Sequence, residues 1–172
     1  AFGPQERTPR SIWTLQRRIA RIYVAMRKCP QPIIALVQGA ACGGGFSLAL
    51  ASDIRILSED AKMNAAYIKI GLTGCDMGSS YFLPRLVGTS VAAEFLMTGR
   101  FMQAERALAV NLASAVVSRE ALPEAANEYV DDMLLTSPLG LRLTKDALNV
   151  SVDASSLEAV MALEDRHQSL LA

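Results

Sequence analysis

Apolar residues recur three or four positions apart near the start of the chain, which is the spacing of one face of an α-helix. The pattern comprises Ile12, Leu15, Ile19, Ile22 and Met26. Ser11 precedes it as a candidate N-cap and Pro30 follows it as a helix breaker, so we expect a helix over residues 11–29. Residues 1–10 are rich in proline and charge, which favours a loop.

A buried strand, a glycine-rich turn and a buried helix are predicted next. Residues 33–37 are continuously apolar, as in a strand that is covered on both faces. Small residues dominate positions 39–45 and indicate a turn, after which leucine and alanine at 46–52 indicate a helix. Residues 53–57 then alternate in character and predict a second strand, so the order of elements is typical of an α/β fold.

Beyond residue 58 the pattern changes gradually from mixed to helical. Residues 59–78 are less regular and carry short strand-like pieces, and three short helices and a last strand are predicted after them, at 79–87, 90–97, 104–110 and 115–117. Helical patterns then cover 120–136, 138–150 and 155–171. We therefore place a boundary near Ser118, which separates residues 1–118 as the α/β core from residues 119–172 as a helical region.

Composition narrows the class of protein. The chain has 172 residues, of which 51% are hydrophobic and 20% charged, which excludes a disordered chain and suits one domain. Its apolar stretches are only a few residues long, whereas a membrane helix needs about 20, so no membrane partner is expected. The formal net charge of zero argues against nucleic acid as a partner.

Charge is distributed unevenly along the chain. Residues 1–30 hold seven basic residues and one acid, a charge of +6, whereas residues 119–172 hold four basic and ten acidic residues, a charge of −6. Such polarity can steer an anionic ligand or pair one segment with another. Solvated helix faces explain it equally simply, and both interpretations stay open.

The cysteine and histidine content indicates a reducing compartment and no metal. Cys29, Cys42 and Cys75 are odd in number and form no C-x-x-C pair, which argues against a disulfide scaffold and a zinc site. His167 is the single histidine, so a histidine-based metal cluster is excluded. We therefore expect a cytoplasmic protein without a bound metal.

Three consecutive glycines, Gly43–Gly45, stand where the first strand leads into the buried helix. The first amides of a helix have no intrahelical partner, and glycine lets a ligand approach the backbone closely. Such a turn can bind a phosphate or hold a developing oxyanion. It matches neither the P-loop nor the G-x-G-x-x-G pattern, and close helix–strand packing is the alternative explanation.

The residues around these glycines carry a specific resemblance. Pro32–Gly45 and the following Asp53–Arg55, together with Pro84–Gly88 and Leu96–Arg100, resemble the enoyl-CoA hydratase/isomerase (crotonase) superfamily. The resemblance runs from about Ser11 to Ala172. It implies the ββα spiral of the ClpP/crotonase fold, with the CoA-thioester site in residues 1–118 and the N-terminal part of the fold absent from this chain.

The resemblance also implies partners. The C-terminal helices of the family build homotrimers, often paired into hexamers, so residues 119–172 are the expected trimerisation region. The substrates are acyl-CoA thioesters, and no separate cofactor is expected, because coenzyme A is part of the substrate. The basic helix over residues 11–29 is a candidate for attracting the phosphates of CoA.

The family holds a thioester enolate with two backbone N–H groups. The resemblance places one of them at Gly44 and the other in an earlier motif that this chain does not contain. Ala40 and Gly43, in the same turn, are expected to contact the substrate. If the chain were complete, half of the oxyanion hole would be missing.

The two glutamates of a typical hydratase are replaced here. The resemblance puts them at Ser47 and Tyr67, where a serine cannot replace a carboxylate and a tyrosine with a pKa near 10 is a poor base. Both residues are therefore expected to line the acyl pocket. A serine hydrolase using Ser47 and His167 is disfavoured, because the chain has no G-x-S-x-G motif.

One acid remains near these positions. Asp76, in an Asp-x-Gly step, resembles the acid of dienoyl-CoA isomerase-like members, although it also precedes a predicted helix and could cap it. Asp53 is expected to stabilise a turn or pair with Arg55. A lone carboxylate suits proton shuttling between carbons better than water addition.

Two functions are therefore expected, from different classes. The first is an enzyme of the hydratase/isomerase family in fatty-acid or related acyl-CoA metabolism, with Gly44 and Asp76 as its catalytic groups. The second is a CoA-thioester-binding subunit that has lost hydratase chemistry, which the missing glutamates would explain.

Overall fold

Helices and short strands alternate along the chain in a computed structural model that describes residues 8–172. The helices are α1 (Pro9–Lys28), α2 (Gly44–Ala51), α3 (Ser79–Val87), α4 (Thr89–Thr98), α5 (Ala104–Ala109), α6 (Leu122–Leu134), α7 (Pro138–Ser151) and α8 (Leu157–Ser169). The strands are β1 (Ile34–Val37), β2 (Ala40–Cys42), β3 (Ile54–Ser58), β4 (Lys62–Asn64), β5 (Met102–Gln103) and β6 (Ala115–Val117). A 3₁₀ turn at Ala66–Ile70 follows β4.

The strands form two separate sheets. The first has the order β1-β3-β6 and is wholly parallel, whereas in the second β4 pairs in parallel with β2 and antiparallel with β5. The chain runs from the first sheet into the second and then into a helix, first through β1, β2 and α2, and again through β3, β4 and α3. This repeated strand–strand–helix order is the predicted ββα arrangement.

The core lies on both sides of the parallel sheet. On one side, α2 contributes Phe46 and Leu50, which belong to the same buried cluster as Leu57, Met63 and others. On the other side, Leu122 and Ala126 of α6 pack with Ile56 of β3. Because helices cover both faces, β1 and β6 are wholly apolar, whereas β3 also carries the buried Arg55 and Ser58.

The first helix starts earlier than predicted, and Ser11 is not its N-cap. Thr8 is the N-cap, and its side chain accepts a hydrogen bond of 3.1 Å from the N–H of Ser11, whose own hydroxyl accepts one from the N–H of Thr8. Pro9 fits the first helical position because its missing N–H would have no partner there. Of the loop predicted over residues 1–10, positions 9 and 10 are therefore helical, and residues 1–7 lie outside the described part of the chain.

Two strands were not predicted at all. β2 lies inside the segment predicted as a glycine turn, and β5 occupies only two residues. Neither segment is long enough to show a period, and both exist because β4 lies between them as a pairing partner. The other predicted helices and strands are present, with ends that differ by a few residues.

A half-buried carboxylate ties three distant elements together. Asp53 accepts hydrogen bonds from the backbone N–H of Ile33 at 2.8 Å and from Arg27 of α1 at 2.8 Å, and Lys145 of α7 approaches it at 2.7 Å. Burial would make an unpaired charge here costly, so the three charges depend on one another. The expected structural role of Asp53 is observed.

The pairing predicted between Asp53 and Arg55 is wrong. The guanidinium of Arg55 donates to the backbone carbonyl of Leu112 at 2.7 Å and to that of Ser52 at 2.6 Å. Its contact with Asp53 is with the backbone carbonyl of that residue and not with the carboxylate. Burial, with a smaller contribution from the charge of Arg27, lowers the pKa of Arg55 to about 10. The helix-end carbonyls nearby offer what a buried guanidinium needs, which explains why Arg55 turns away from the carboxylate.

Candidate active site

The N-terminus of α2 is the centre of the candidate site. Gly43 is its N-cap with φ of +53°, a value that residues with a Cβ rarely adopt. The N–H of Gly43 donates to the carbonyl of Asn64 at 3.0 Å, so the sheet already uses this amide. Gly44 is the first helical residue, and its N–H, like those of any first helical turn, has no intrahelical acceptor.

The three glycines have different surroundings. A Cβ at Gly44 would lie 3.3 Å from the hydroxyl of Tyr23 and 3.4 Å from the sulfur of Met77, so the space beside it is narrow. A Cβ at Gly43 would lie 3.3 Å from the ring of Tyr67. At Gly45 nothing lies within 4 Å, so this position has room for a side chain.

Ser47 and Tyr67, at the two positions where the sequence resemblance expects the glutamates of a hydratase, form one buried hydrogen-bonded pair. Their hydroxyl oxygens are 2.7 Å apart, and the hydroxyl of Tyr67 also donates to the carbonyl of Gly43 at 2.7 Å. Burial raises the pKa of Tyr67 to about 12, against a smaller opposite effect of the bond from Ser47. The tyrosine thus stays protonated at neutral pH, and even less of it is present as the phenolate base than in an ordinary tyrosine.

Asp76 lies in the loop before α3, and its carboxylate does not cap that helix. Gly78 is the N-cap of α3, while Oδ1 of Asp76 accepts hydrogen bonds from the N–H of Met77 at 2.7 Å and from the side-chain amide of Gln16. The carbonyl of Asp76 accepts a hydrogen bond of 3.3 Å from Ser47. The capping alternative is therefore wrong, and the main chain of the loop lies against α2.

Two residues of α1 complete the site, and neither was predicted from the sequence. Gln16 contacts Asp76, and about two helical turns further along the same face Tyr23 donates to the carbonyl of Gly44 at 3.2 Å. Burial raises the pKa of Tyr23, and the negative charge of Asp76 adds to this effect. The signal in the sequence was the seven-residue spacing of two polar side chains, which places them on one face of the helix.

A cavity of about 910 Å³ opens beside this cluster, between α1, α3 and α7. Tyr23 and Met77, which flank Gly44, also line the cavity, and apolar side chains such as Val24 and Phe82 form much of its wall. Ser47 and Tyr67 are not among its lining residues, so the acyl-pocket role predicted for them stays a prediction.

The remaining candidate residues, Ala40 and His167, belong to other elements. Ala40 is exposed in β2, opposite Lys62 of β4. His167 of α8 lies 3.5 Å from Asp146 of α7, so the described structure gives it an acidic neighbour rather than Ser47. Among residues 8–172 no group of three or more histidine, cysteine or acidic side chains is arranged to hold a metal ion.

Comparison with known proteins identifies the family. A family model described as enoyl-CoA hydratase/isomerase matches residues 5–171. The chain belongs to this family. A Mycobacterium tuberculosis relative, named probable enoyl-CoA hydratase EchA12, is 44% identical over 143 residues, which cover 83% of this chain and 50% of the relative.

Solved structures of the family share the fold. A probable enoyl-CoA hydratase/isomerase from Mycobacterium abscessus superposes with a TM-score of 0.92 at 37% identity, covering 98% of this chain and 64% of that protein. A monofunctional enoyl-CoA isomerase from M. smegmatis has a TM-score of 0.77 at 43% identity, over 83% of this chain and 67% of that protein. The crotonase-like fold predicted from the sequence is confirmed.

The chain spans about half the length of the curated relatives that it matches. The family members named above are called hydratases or isomerases, so the hydratase/isomerase type expected from the sequence agrees with them. Over the described residues, none of the helices combines the length and the apolar character needed to cross a membrane.

Proposed function

We propose that the protein acts on an acyl-CoA thioester through an enolate whose oxygen is held by the N–H of Gly44. Membership of the enoyl-CoA hydratase/isomerase family supports the substrate class. The geometry of α2 supports the role of Gly44, because the amide of Gly43 is already used while that of Gly44 begins the helix. A helix N-terminus also stabilises negative charge that develops next to it.

The reaction that this site supports best is movement of a proton between two carbons. The observation that carries it is the contrast between one carboxylate, Asp76, and two neutral hydroxyls, Ser47 and Tyr67, that bind each other. Asp76 would take a proton from the carbon next to the thioester carbonyl or from its vinylogous position, forming the enolate. The protonated acid would return it to the other carbon, so the product is an isomer of the substrate.

Hydration is the less suitable reaction for this arrangement. It needs a base that activates water on one carbon and an acid that protonates its neighbour. Tyr67, with a pKa raised to about 12, cannot act as a base near neutral pH.

The acyl group itself would extend into the 910 Å³ cavity, which starts at Tyr23 and Met77 and is large enough for a long or branched chain. Ala40 and Gly43 would line the path of the thioester.

A binding subunit without turnover is the second candidate. The loss of both glutamates favours it, since the pair that replaces them is fully engaged in its own hydrogen bonds. The two functions differ in what Asp76 does: a binder would keep its affinity and lose nothing when Asp76 becomes asparagine.

The first experiment is incubation of the full-length protein with a short trans-2-enoyl-CoA in deuterated water, followed by mass spectrometry of the thioester. Deuterium uptake without added water would support the proposed proton shuttle. A product heavier by one water would show a hydratase and contradict the isomerase-type reaction. An unchanged thioester that still binds the protein would favour the binding subunit.

We also propose a homotrimeric or hexameric assembly in the cytoplasm, built through the C-terminal helices. Large apolar side chains at the ends of these helices support it, since Leu134, Leu135 and Leu157 are each exposed by 71% or more. Such exposure is typical of surfaces that a partner covers. Sedimentation of the full-length protein measures the assembly directly, and a monomer at micromolar concentration would contradict it.

A further inference from the structure

The contact between Gln16 and Asp76 joins α1 to the loop that carries the candidate base. The two residues are 60 positions apart, and the side-chain amide nitrogen of Gln16 donates to Oδ1 of Asp76. We propose that Gln16 is a positioning residue, which orients the carboxylate of Asp76 so that its other oxygen takes the substrate proton. This inference rests on the proposed function.

The two carboxylate oxygens of Asp76 differ in their hydrogen bonds. Oδ1 accepts both described hydrogen bonds, one from Gln16 and one from the N–H of Met77. Within the described part of the chain, Oδ2 makes no hydrogen bond that would occupy it. Two donors on one oxygen fix the plane of the group and leave the second oxygen with its lone pairs open, as a general base requires.

The loop alone would not hold this orientation. Met77 has φ of +50°, an uncommon value for a residue with a side chain, and Gly78 follows with φ of +87°. The backbone of Asp76 is anchored by Ser79, whose hydroxyl accepts the N–H of Asp76 at 3.1 Å, and by Ser47. These bonds fix the main chain, and Gln16 is the contact from another element that fixes the side chain.

A neutral donor suits this purpose. An arginine or lysine in place of Gln16 would orient the carboxylate equally well, but it would put a compensating positive charge beside the base and reduce its readiness to accept a proton. An amide fixes the direction without that charge. Gln16 is half-buried, so the packing of α1 restricts its own movement.

The test replaces Gln16 in the full-length protein by methionine, which has a similar length and no hydrogen-bond donor. The matched control is Gln168→Met, the same change at an exposed position of α8. Deuterium exchange into a short enoyl-CoA gives kcat and KM, and thermal unfolding of each variant checks that it folds. Because a misplaced catalytic group can cost about a hundredfold in rate, we expect Gln16→Met to lower kcat by about ten- to a hundredfold.

The pattern of effects separates positioning from a structural role. We expect KM and the melting temperature of Gln16→Met to stay near those of the wild type, and Gln168→Met to keep full activity. In the Asp76→Asn background, adding Gln16→Met should change kcat less than about twofold, because Gln16 acts through the carboxylate that is already gone.

Three results would overturn the inference. They are an unchanged kcat in Gln16→Met, a rise in KM without a fall in kcat, and an equal loss in both backgrounds. If the wild type itself exchanges no deuterium, the proposed function fails and the inference fails with it. An active wild type that Gln16→Met leaves unaltered refutes the inference alone.

Discussion

Asp76 is the residue on which the proposed chemistry of the site depends. Its negative charge reaches both tyrosines of the site, since it helps to raise the pKa of Tyr23 and of Tyr67. Its backbone is anchored at the carbonyl by Ser47, from the first turn of the glycine-led helix α2. In the proposed reaction this carboxylate exchanges protons with a thioester that lies over the helix N-terminus.

Replacing Asp76 by asparagine removes the base and keeps the shape. General acid–base catalysis contributes about 10²–10⁴-fold, so kcat for deuterium exchange should fall at least a hundredfold while KM changes little. The control is Asp60→Asn, an exposed carboxylate paired with Arg119, which should keep full activity. Equal activity of wild type and Asp76→Asn would assign the proton transfer to another group.

Tyr67 should resist ionisation at high pH. Its pKa is raised to about 12 by burial, whereas an unfolded tyrosine ionises near 10. The unfolded chain therefore loses this proton first, and Tyr67 makes the fold less stable as pH rises from about 10 to about 12, with no effect at neutral pH.

Absorbance of tyrosinate during an alkaline titration measures this. Tyr67→Phe should remove the component that ionises at the highest pH and leave the earlier ones in place. A titration in which Tyr67→Phe removes a component near pH 10 would show that the hydroxyl is accessible to water.

At the scale of elements, the start of α2 depends on one glycine more than on the other two. Gly43 combines φ of +53° with a close neighbour in the ring of Tyr67, whereas Gly45 is helical and has open space around it. Gly43 is therefore required for its backbone conformation, Gly44 leaves a narrow space beside the backbone, and Gly45 can be replaced.

Two alanine substitutions test this difference. Gly43→Ala should lower the free energy of unfolding by about 1–3 kcal/mol, the usual cost of a strained backbone position. Gly45→Ala should leave it unchanged or raise it by about 0.5–1 kcal/mol, because alanine favours helix. Urea unfolding of both variants gives the comparison, and equal losses would mean that α2 begins at a different residue.

The periodicity of apolar residues predicted long elements correctly and missed short ones. The predicted helices of the C-terminal region agree with α6, α7 and α8 to within a few residues, because each has one apolar face that its sequence reveals. β2 and β5 were missed because strands of three and two residues hold too few positions for any pattern. Only pairing with β4 defines them.

At the scale of the whole molecule, the cluster around Asp53 connects the start of β3 to α1 and α7. Lys145 is 6% exposed and also donates to the carbonyls of Met26 and Gln31, so its stem and charge are enclosed between the two helices. Loss of the carboxylate would leave Arg27 and Lys145 together without their shared counter-charge.

Asp53→Asn should therefore lower the free energy of unfolding by about 3 kcal/mol, as expected when one partner of a buried ion pair is removed. The control is Glu94→Gln, because its pair with Arg106, at 3.7 Å, lies on the surface and should contribute less than about 1 kcal/mol. Urea unfolding measures both. Similar small losses would mean that water screens the cluster.

Much of the candidate site could be predicted from the sequence. The glycines, Asp76, and Ser47 and Tyr67 at the positions where the resemblance expects glutamates, are all recognisable in the sequence by their spacing from the glycine turn. What Ser47 and Tyr67 do there could not be predicted, since their hydrogen bond depends on the distance between two elements.

The sequence by itself determined the fold family, the order of most elements and the identity of the residues that can carry charge at the site. These properties are local or repeated, so spacing and composition express them. Tertiary structure decided which partners those residues have: Asp53 with Lys145 rather than Arg55, and Asp76 with Gln16 rather than the end of α3. Contacts between residues far apart in the chain arise only when packing brings their elements together, and no local pattern records them.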